Sequence, residues 1–149
     1  MDTKQNRTVA LLSIHPVYVE RLLEGSKGVE LRKTKFSKDI DYAIMYSTAP
    51  VQKIVGYFSV AKIAVDVPTL IWSEYKEIAG IESSKFLRYY KGAKQAVAIE
   101  VGKMHQLKHP APLSILGEGL KPPQSFQYFD FSSIEMLDKY GQMGHECAA

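Results

Sequence analysis

The chain has 149 residues, 46% hydrophobic and 23% charged, a composition that suits one globular domain with a core of its own. The formal net charge is only +3, and no apolar run approaches the roughly 20 residues that a membrane helix needs, so no membrane-spanning helix is expected. Cys147 is the single cysteine, so no internal disulfide can form, and a reducing cytoplasm is the expected compartment.

In chain order, Lys4 and Arg7 precede a short apolar run that ends at His15-Pro16 without a small-residue cleavage site, so no secretory signal is expected. Val9–Ile14 has the length and near-continuous apolarity of a strand. Pro16 is placed to open a helix with Tyr18, Val19, Leu22 and Leu23 at helical spacing and Gly25 closing it. Val29–Arg32 alternates, with Val29 and Leu31 on one face and Glu30 and Arg32 on the other. Ala43–Thr48 reads as a buried strand. Lys53–Val65 is a long β-branched strand in which Gly56 marks a bulge or bend. Pro68 opens a second helix with Ile71, Trp72, Tyr75, Ile78 and Ala79 on one face, ended by Gly80. Ser83 or Ser84 is the expected cap of a third helix, in which Phe86, Leu87 and Tyr90 are apolar. Ala96–Val101 alternates with Val97, Ile99 and Val101 inward. A proline-rich stretch then leads to a short aromatic strand at Ser125–Phe131 and a terminal helix near Ser133–Tyr140. The expected fold class is α+β, five to six bent strands in a partly open barrel with inserted and flanking helices, as one domain over residues 1–149 with its core at about 8–130.

The charge is unevenly placed. In residues 1–40, Lys4, Arg7, Arg21, Lys27, Arg32, Lys33, Lys35 and Lys38 outnumber Asp2, Glu20, Glu24, Glu30 and Asp39 by the whole net excess of +3. Clustering of this kind favours an anionic partner, the alternative being a solvated lysine-rich loop. Within it, Gly25-Ser26-Lys27-Gly28-Val29-Glu30-Leu31-Arg32 carries the strongest local signal. Residues two apart on a strand lie about 6.5 Å apart, so Lys27, Glu30 and Arg32 can converge on one patch. Lysine and arginine suit phosphate, and a glutamate can accept from an exocyclic amine of a base. The competing reading is an Arg32–Glu30 surface pair that closes the barrel, beside a solvated Lys27.

Gly25-x-Lys27-x-x-Glu30-x-Arg32 resembles the G-x-K-x-x-E-x-R signature of ASCH domains, a branch of the PUA-like superfamily. The surroundings resemble it too: a strand ending Ser-Ile-His-Pro, a helix ending Leu-Leu-Glu-Gly, then Tyr46-Ser47, and the late Pro122-Pro123-Gln124-Ser125-Phe126. The resemblance implies a PUA-like pseudo-barrel whose cleft is lined by the signature, with RNA or a nucleotide-like ligand as partner. It implies Lys27, Glu30, Arg32, Tyr46, Ser47, Lys53 and Ser125 as cleft residues, while Lys33, Lys35 and Lys38 suit backbone phosphates. An enzymatic branch of the superfamily, amidohydrolases acting on acetylated cytidine, carries a threonine nucleophile where this chain has Glu30, so that mechanism does not transfer. A hydrolase acting on RNA or a modified nucleoside is the alternative function, with Lys27 or Glu30 as base. A small regulatory module binding a protein or metabolite is a third. No cofactor is implied. His105-x-x-x-His109 has metal-ligand spacing for a helix but falls where strand gives way to Pro110, so no metal site is expected there. Trp72, Tyr75, Phe86, Tyr89 and Tyr90 read as packing, and His145-Glu146-Cys147 as a frayed tail.

Overall fold

A computed structural model describes residues 6–142, so Lys4 and the His145-Glu146-Cys147 segment lie outside the described residues. The elements in order are β1 (Thr8–Ile14), α1 (Pro16–Glu24), β2 (Val29–Arg32), β3 (Tyr42–Ser47), β4 (Lys53–Asp66), α2 (Pro68–Tyr75), α3 (Ser83–Tyr89), β5 (Ala96–Ala111), a 3₁₀ turn at Leu113–Ile115, β6 (Phe126–Asp130) and α4 (Ser132–Gln142). The six strands form one curled sheet in the order β2-β5-β4-β3-β1-β6. β1 and β3 are parallel and every other neighbouring pair is antiparallel. This mixed α+β architecture is the six-stranded pseudo-barrel that the signature implied. Among the described residues no helix is long and apolar enough to cross a membrane.

The near-continuous apolarity of β1 has a direct cause: both faces of the strand are covered. Val9 and Leu11 pack with Ile44, Tyr57 and the α4 residues Ile134 and Leu137 on one side. Ala10, Leu12 and Ile14 pack on the other with Val19 and Leu22 of α1, Met45 and Phe58. A third cluster sits beyond, where Ile71 and Tyr75 of α2, Phe86 of α3 and Tyr90 just after it cover Val29, Leu31, Ala96 and Ala98. That cover corrects the simple alternation expected for residues 96–101. Ala96, Val97, Ala98 and Ile99 are all buried, because the helices occupy the face that would otherwise meet water.

Three elements differ from the sequence reading: α2 ends at Tyr75, short of the expected Gly80, which leaves Ile78 beyond the helix and 44% exposed. β5 runs on through His109 and Pro110 to Ala111 as one strand of 16 residues. Its register against β4 jumps from Ile54↔Ala111 to Gly56↔Gln106, and the intervening residues bulge. Pro110, which cannot donate to a ladder, falls within that bulge. Gly56 is required there, because a Cβ on it would lie 2.6 Å from the His105 carbonyl oxygen. The α3 cap is also different. Glu82, extended at φ −66° and ψ 147°, takes the cap position, and both serines lie inside the helix.

The two edges of the curled sheet, β2 and β6, are joined by side chains instead of a strand ladder. Arg32 at the end of β2 donates to the carbonyl of Ser125, next to the first residue of β6. Just downstream, the Tyr128 hydroxyl accepts from the Ser37 backbone N–H at 2.8 Å, and Phe36 packs edge-on against Phe126 with centroids 4.6 Å apart.

Candidate nucleotide-binding cavity

The signature turn is built from the end of α1. Gly25 adopts a left-handed conformation at φ 90°, and its N–H donates to the Arg21 carbonyl at 3.1 Å, ending the helix as glycine commonly does. The chain then runs through Lys27 into β2, and this turn is tied to the connection between α2 and α3 at three successive carbonyls. The Gly28 N–H donates to the Ile78 oxygen at 2.7 Å, Lys27 Nζ to the Ala79 oxygen at 2.6 Å, and the Arg21 guanidinium to the Gly80 oxygen at 2.7 Å. These bonds hold α3 over the signature.

Between them lies a cavity of about 380 Å³. Ser13, His15 and Tyr18 form its wall from β1 and α1, Lys27, Glu30 and Arg32 its floor, and Ile81, Lys85, Arg88 and Tyr89 the opposite wall. The structure therefore brings Lys27, Glu30 and Arg32 together. The surface pair and solvated lysine of the competing reading are instead buried, although Arg32 does join the two sheet edges as that reading held. Arg32 and Glu30 form an ion pair at 3.0 Å with side-chain exposures of only 13% and 7%. Lys27 is 3% exposed, its ammonium 5.1 Å from the centroid of the Tyr18 ring. Burial holds that ammonium below the usual lysine range; Glu30 pulls the other way, and Arg21 adds to the lowering.

Arg32 is mostly committed to the protein. One terminal nitrogen donates to Glu30 and to the Ser13 carbonyl at 3.2 Å, and the other to the Ser125 carbonyl. Glu30 is half committed. One carboxylate oxygen takes the Arg32 bond, and the other has no hydrogen-bond partner among the described residues.

The remaining candidates lie elsewhere. Tyr46 is 5% exposed in the apolar cluster with Val9, Leu11 and Ile44, so it does not line the cavity. Ser47 is buried at the end of β3, opposite Lys53 and Ile14 in the ladders, and Lys53 is exposed at the start of β4. Ser125 meets the signature through its backbone carbonyl. Lys33, Lys35 and Lys38 are exposed outside the cavity; Lys33 lies over the Tyr89 ring at 4.6 Å and Lys38 over Tyr128 at 5.0 Å. His105 stacks on Tyr57 with centroids 4.8 Å apart, and among the described residues no three His, Cys, Asp or Glu side chains cluster to hold a metal.

The sequence reading missed the α3 wall. Lys85 and Arg88 resemble solvated charges on a short helix, and Tyr89 has the spacing of a packing residue. Phe86 and Tyr90 do bury, but Tyr89 is 40% exposed and borders the cavity. His15 and Tyr18 lie in or beside the Ser-Ile-His-Pro segment, which is the one signal that could have included them.

Comparison with known proteins agrees with this architecture. The ASCH domain profile matches residues 12–107. A Zymomonas mobilis protein described as an ASCH domain-containing ribonuclease is 30% identical over 137 residues, covering 89% of this chain and 91% of that protein. The chain is also 30% identical over 119 residues to an ATP synthase subunit alpha of Ureaplasma parvum; the match covers 79% of this chain but only 15% of that longer one. The crystal structure of ASCH from Zymomonas mobilis superposes with a TM-score of 0.80 at 22% identity, covering 93% of this chain and 96% of that one, and so shares the fold.

Proposed function

The chain belongs to the ASCH domain family, and from that premise we propose that it binds single-stranded RNA, taking one nucleotide into the cavity between β2 and α3. The observation that carries this reading is the pair of buried charged groups on the cavity floor. Lys27 and Glu30 are 3% and 5% exposed, yet both border a space of about 380 Å³. Burying charge is costly unless it is paired and hydrogen-bonded, and here the Arg32 pair and the Ala79 carbonyl meet only part of the bonding capacity of the two groups. The Lys27 ammonium has donors beyond the one given to Ala79, and the free Glu30 oxygen can accept from an N–H on a base edge. Tyr18 and Tyr89 both line the cavity and bring aromatic rings to it, the residue type on which an unstacked base packs. The test is titration of fluorescent RNA oligomers against the parent and Lys27→Gln. Saturable binding weakened tenfold or more in the variant supports the proposal; equal binding by both overturns it.

A second reading, cleavage of the bound RNA, is favoured by the lowered proton affinity of Lys27 and by the ribonuclease relative of nearly equal length. A buried amine that loses its proton more readily is better suited to act as a general base near neutral pH. In that reaction Lys27 Nζ takes the proton of a 2′-hydroxyl and the 2′-oxygen bonds to phosphorus. The phosphorus–5′-oxygen bond then breaks, and the departing oxygen takes a proton from solvent. The products are a 2′,3′-cyclic phosphate and a 5′-hydroxyl end. Incubation with RNA carrying a single 2′-deoxy position separates the readings, since binding tolerates the substitution and cleavage at that site does not.

A further inference from the structure

We propose that the phosphate of the bound nucleotide is held by α3, through Arg88 and Lys85, and not by the arginine of the signature. The inference rests on the reading of the cavity as a nucleotide site. It starts from what Arg32 has left to give. Its two terminal nitrogens donate to Glu30, to the Ser13 carbonyl and to the Ser125 carbonyl, bonds that join the two sheet edges and orient Glu30. Turning that guanidinium onto a phosphate would strip a buried carboxylate and two carbonyls of their donor, which is strongly unfavourable in the way that breaking a buried pair is. Lys27 is also tethered, to the Ala79 carbonyl, beneath the Tyr18 ring.

Arg88 stands in contrast. It borders the same cavity, is exposed, and its guanidinium has no hydrogen bond or ion pair among the described residues. Lys85, one helical turn earlier and also on the cavity wall, is held only by a long contact of 3.9 Å to Glu82, with both side chains more than half exposed. An exposed pair of this kind contributes little, so Lys85 exchanges Glu82 for a phosphate at small cost. Residues three apart on a helix are neighbours, so the two cations can act on one anion. Tyr89 follows directly on the same wall, and Lys33, outside the cavity, lies over its ring at 4.6 Å. The cavity thus divides into a floor that meets the base and a wall that meets the phosphate.

The experiment compares the full chain with K85Q/R88Q and with the charge-conserving K85R/R88K. Each is titrated with a single-stranded RNA oligomer over a range of salt, and with a nucleoside monophosphate and the corresponding nucleoside. We expect K85Q/R88Q to bind RNA at least tenfold more weakly, with a salt slope shallower by about 0.7 for each phosphate left without its cation. The monophosphate should lose its advantage over the nucleoside, melting should be unchanged, and K85R/R88K should behave as the parent. Parent-like affinity and slope in K85Q/R88Q overturns the assignment while RNA binding stands. Failure of the parent to bind any RNA overturns the reading beneath it.

Discussion

Gly80 sits where Lys27 leaves no space for a side chain: a Cβ there would lie 2.4 Å from Lys27 Cβ and 2.6 Å from Lys27 Cγ. The same residue holds a left-handed φ of 62°, which any other side chain adopts only under strain. Gly80→Ala therefore meets two penalties, and relief of the clash must move the α2–α3 connection away from the signature turn. We expect a loss of about 1–3 kcal/mol in denaturant unfolding together with weaker RNA binding. An unchanged unfolding midpoint would show that the connection yields freely.

Lys27 makes stability depend on pH in a defined direction. Its proton affinity is lowered in the folded chain, so the unfolded chain binds more protons between the folded value and the ordinary 10.5. Stability rises with pH wherever the unfolded state holds the extra proton. The penalty for burying Lys27 is thus fully present below its folded pKa and fades as pH climbs toward 10.5. Lys27→Met removes the titration. Melting of parent and variant across the alkaline range should show the parent gaining relative to Lys27→Met, and parallel curves would contradict the buried ammonium.

Glu30→Gln should affect stability as well as binding. The Arg32–Glu30 pair is largely buried, so it does not follow the near-zero energetics of exposed pairs. Glutamine keeps the shape and one acceptor but leaves Arg32 with an unbalanced charge. A loss of roughly 1–3 kcal/mol in stability is expected, with RNA affinity falling by a similar free energy. Parent-like binding in a folded Glu30→Gln would remove the carboxylate from recognition.

Replacing Lys33, Lys35 and Lys38 together with glutamine tests the track outside the cavity. Binding should weaken for every RNA sequence alike, and the salt slope should become shallower by about 0.7 for each phosphate that these lysines neutralise. A steep slope that survives all three changes assigns the electrostatics to the α3 wall alone.

The parts legible in the sequence share a physical origin. Period-two patterning placed Glu30 and Arg32 on one face of β2, and a glycine after an apolar helix fixed the turn carrying Lys27. Gly56 announced the bend in β4. What stayed hidden depends on contacts distant in the chain. Tyr89 follows Phe86 at a spacing that also describes packing, and nothing local distinguishes a ring facing a cavity from one facing a core. The burial of Lys27 follows from carbonyls some fifty positions away, and the burial of Glu30 from an arginine stapled to Ser125. Tyr46 shows the converse: β3 is covered on both faces, so its place in a motif did not decide where its ring went.

Asp66 at the end of β4 pairs directly with Ala96 at the start of β5, so residues 67–95 hang from the end of one continuous hairpin. Lys85, Arg88 and Tyr89 all lie in that insert, whereas Lys27, Glu30 and Arg32 belong to the sheet and its first crossover. The two halves of the cavity therefore come from different levels of the fold, joined by the three carbonyl bonds at residues 78–80 and by the packing of Ile71, Tyr75, Phe86 and Tyr90 on β2 and β5. Substitutions at the exposed α3 positions Lys85 and Arg88 change the charge that the cavity wall presents without touching a strand pairing.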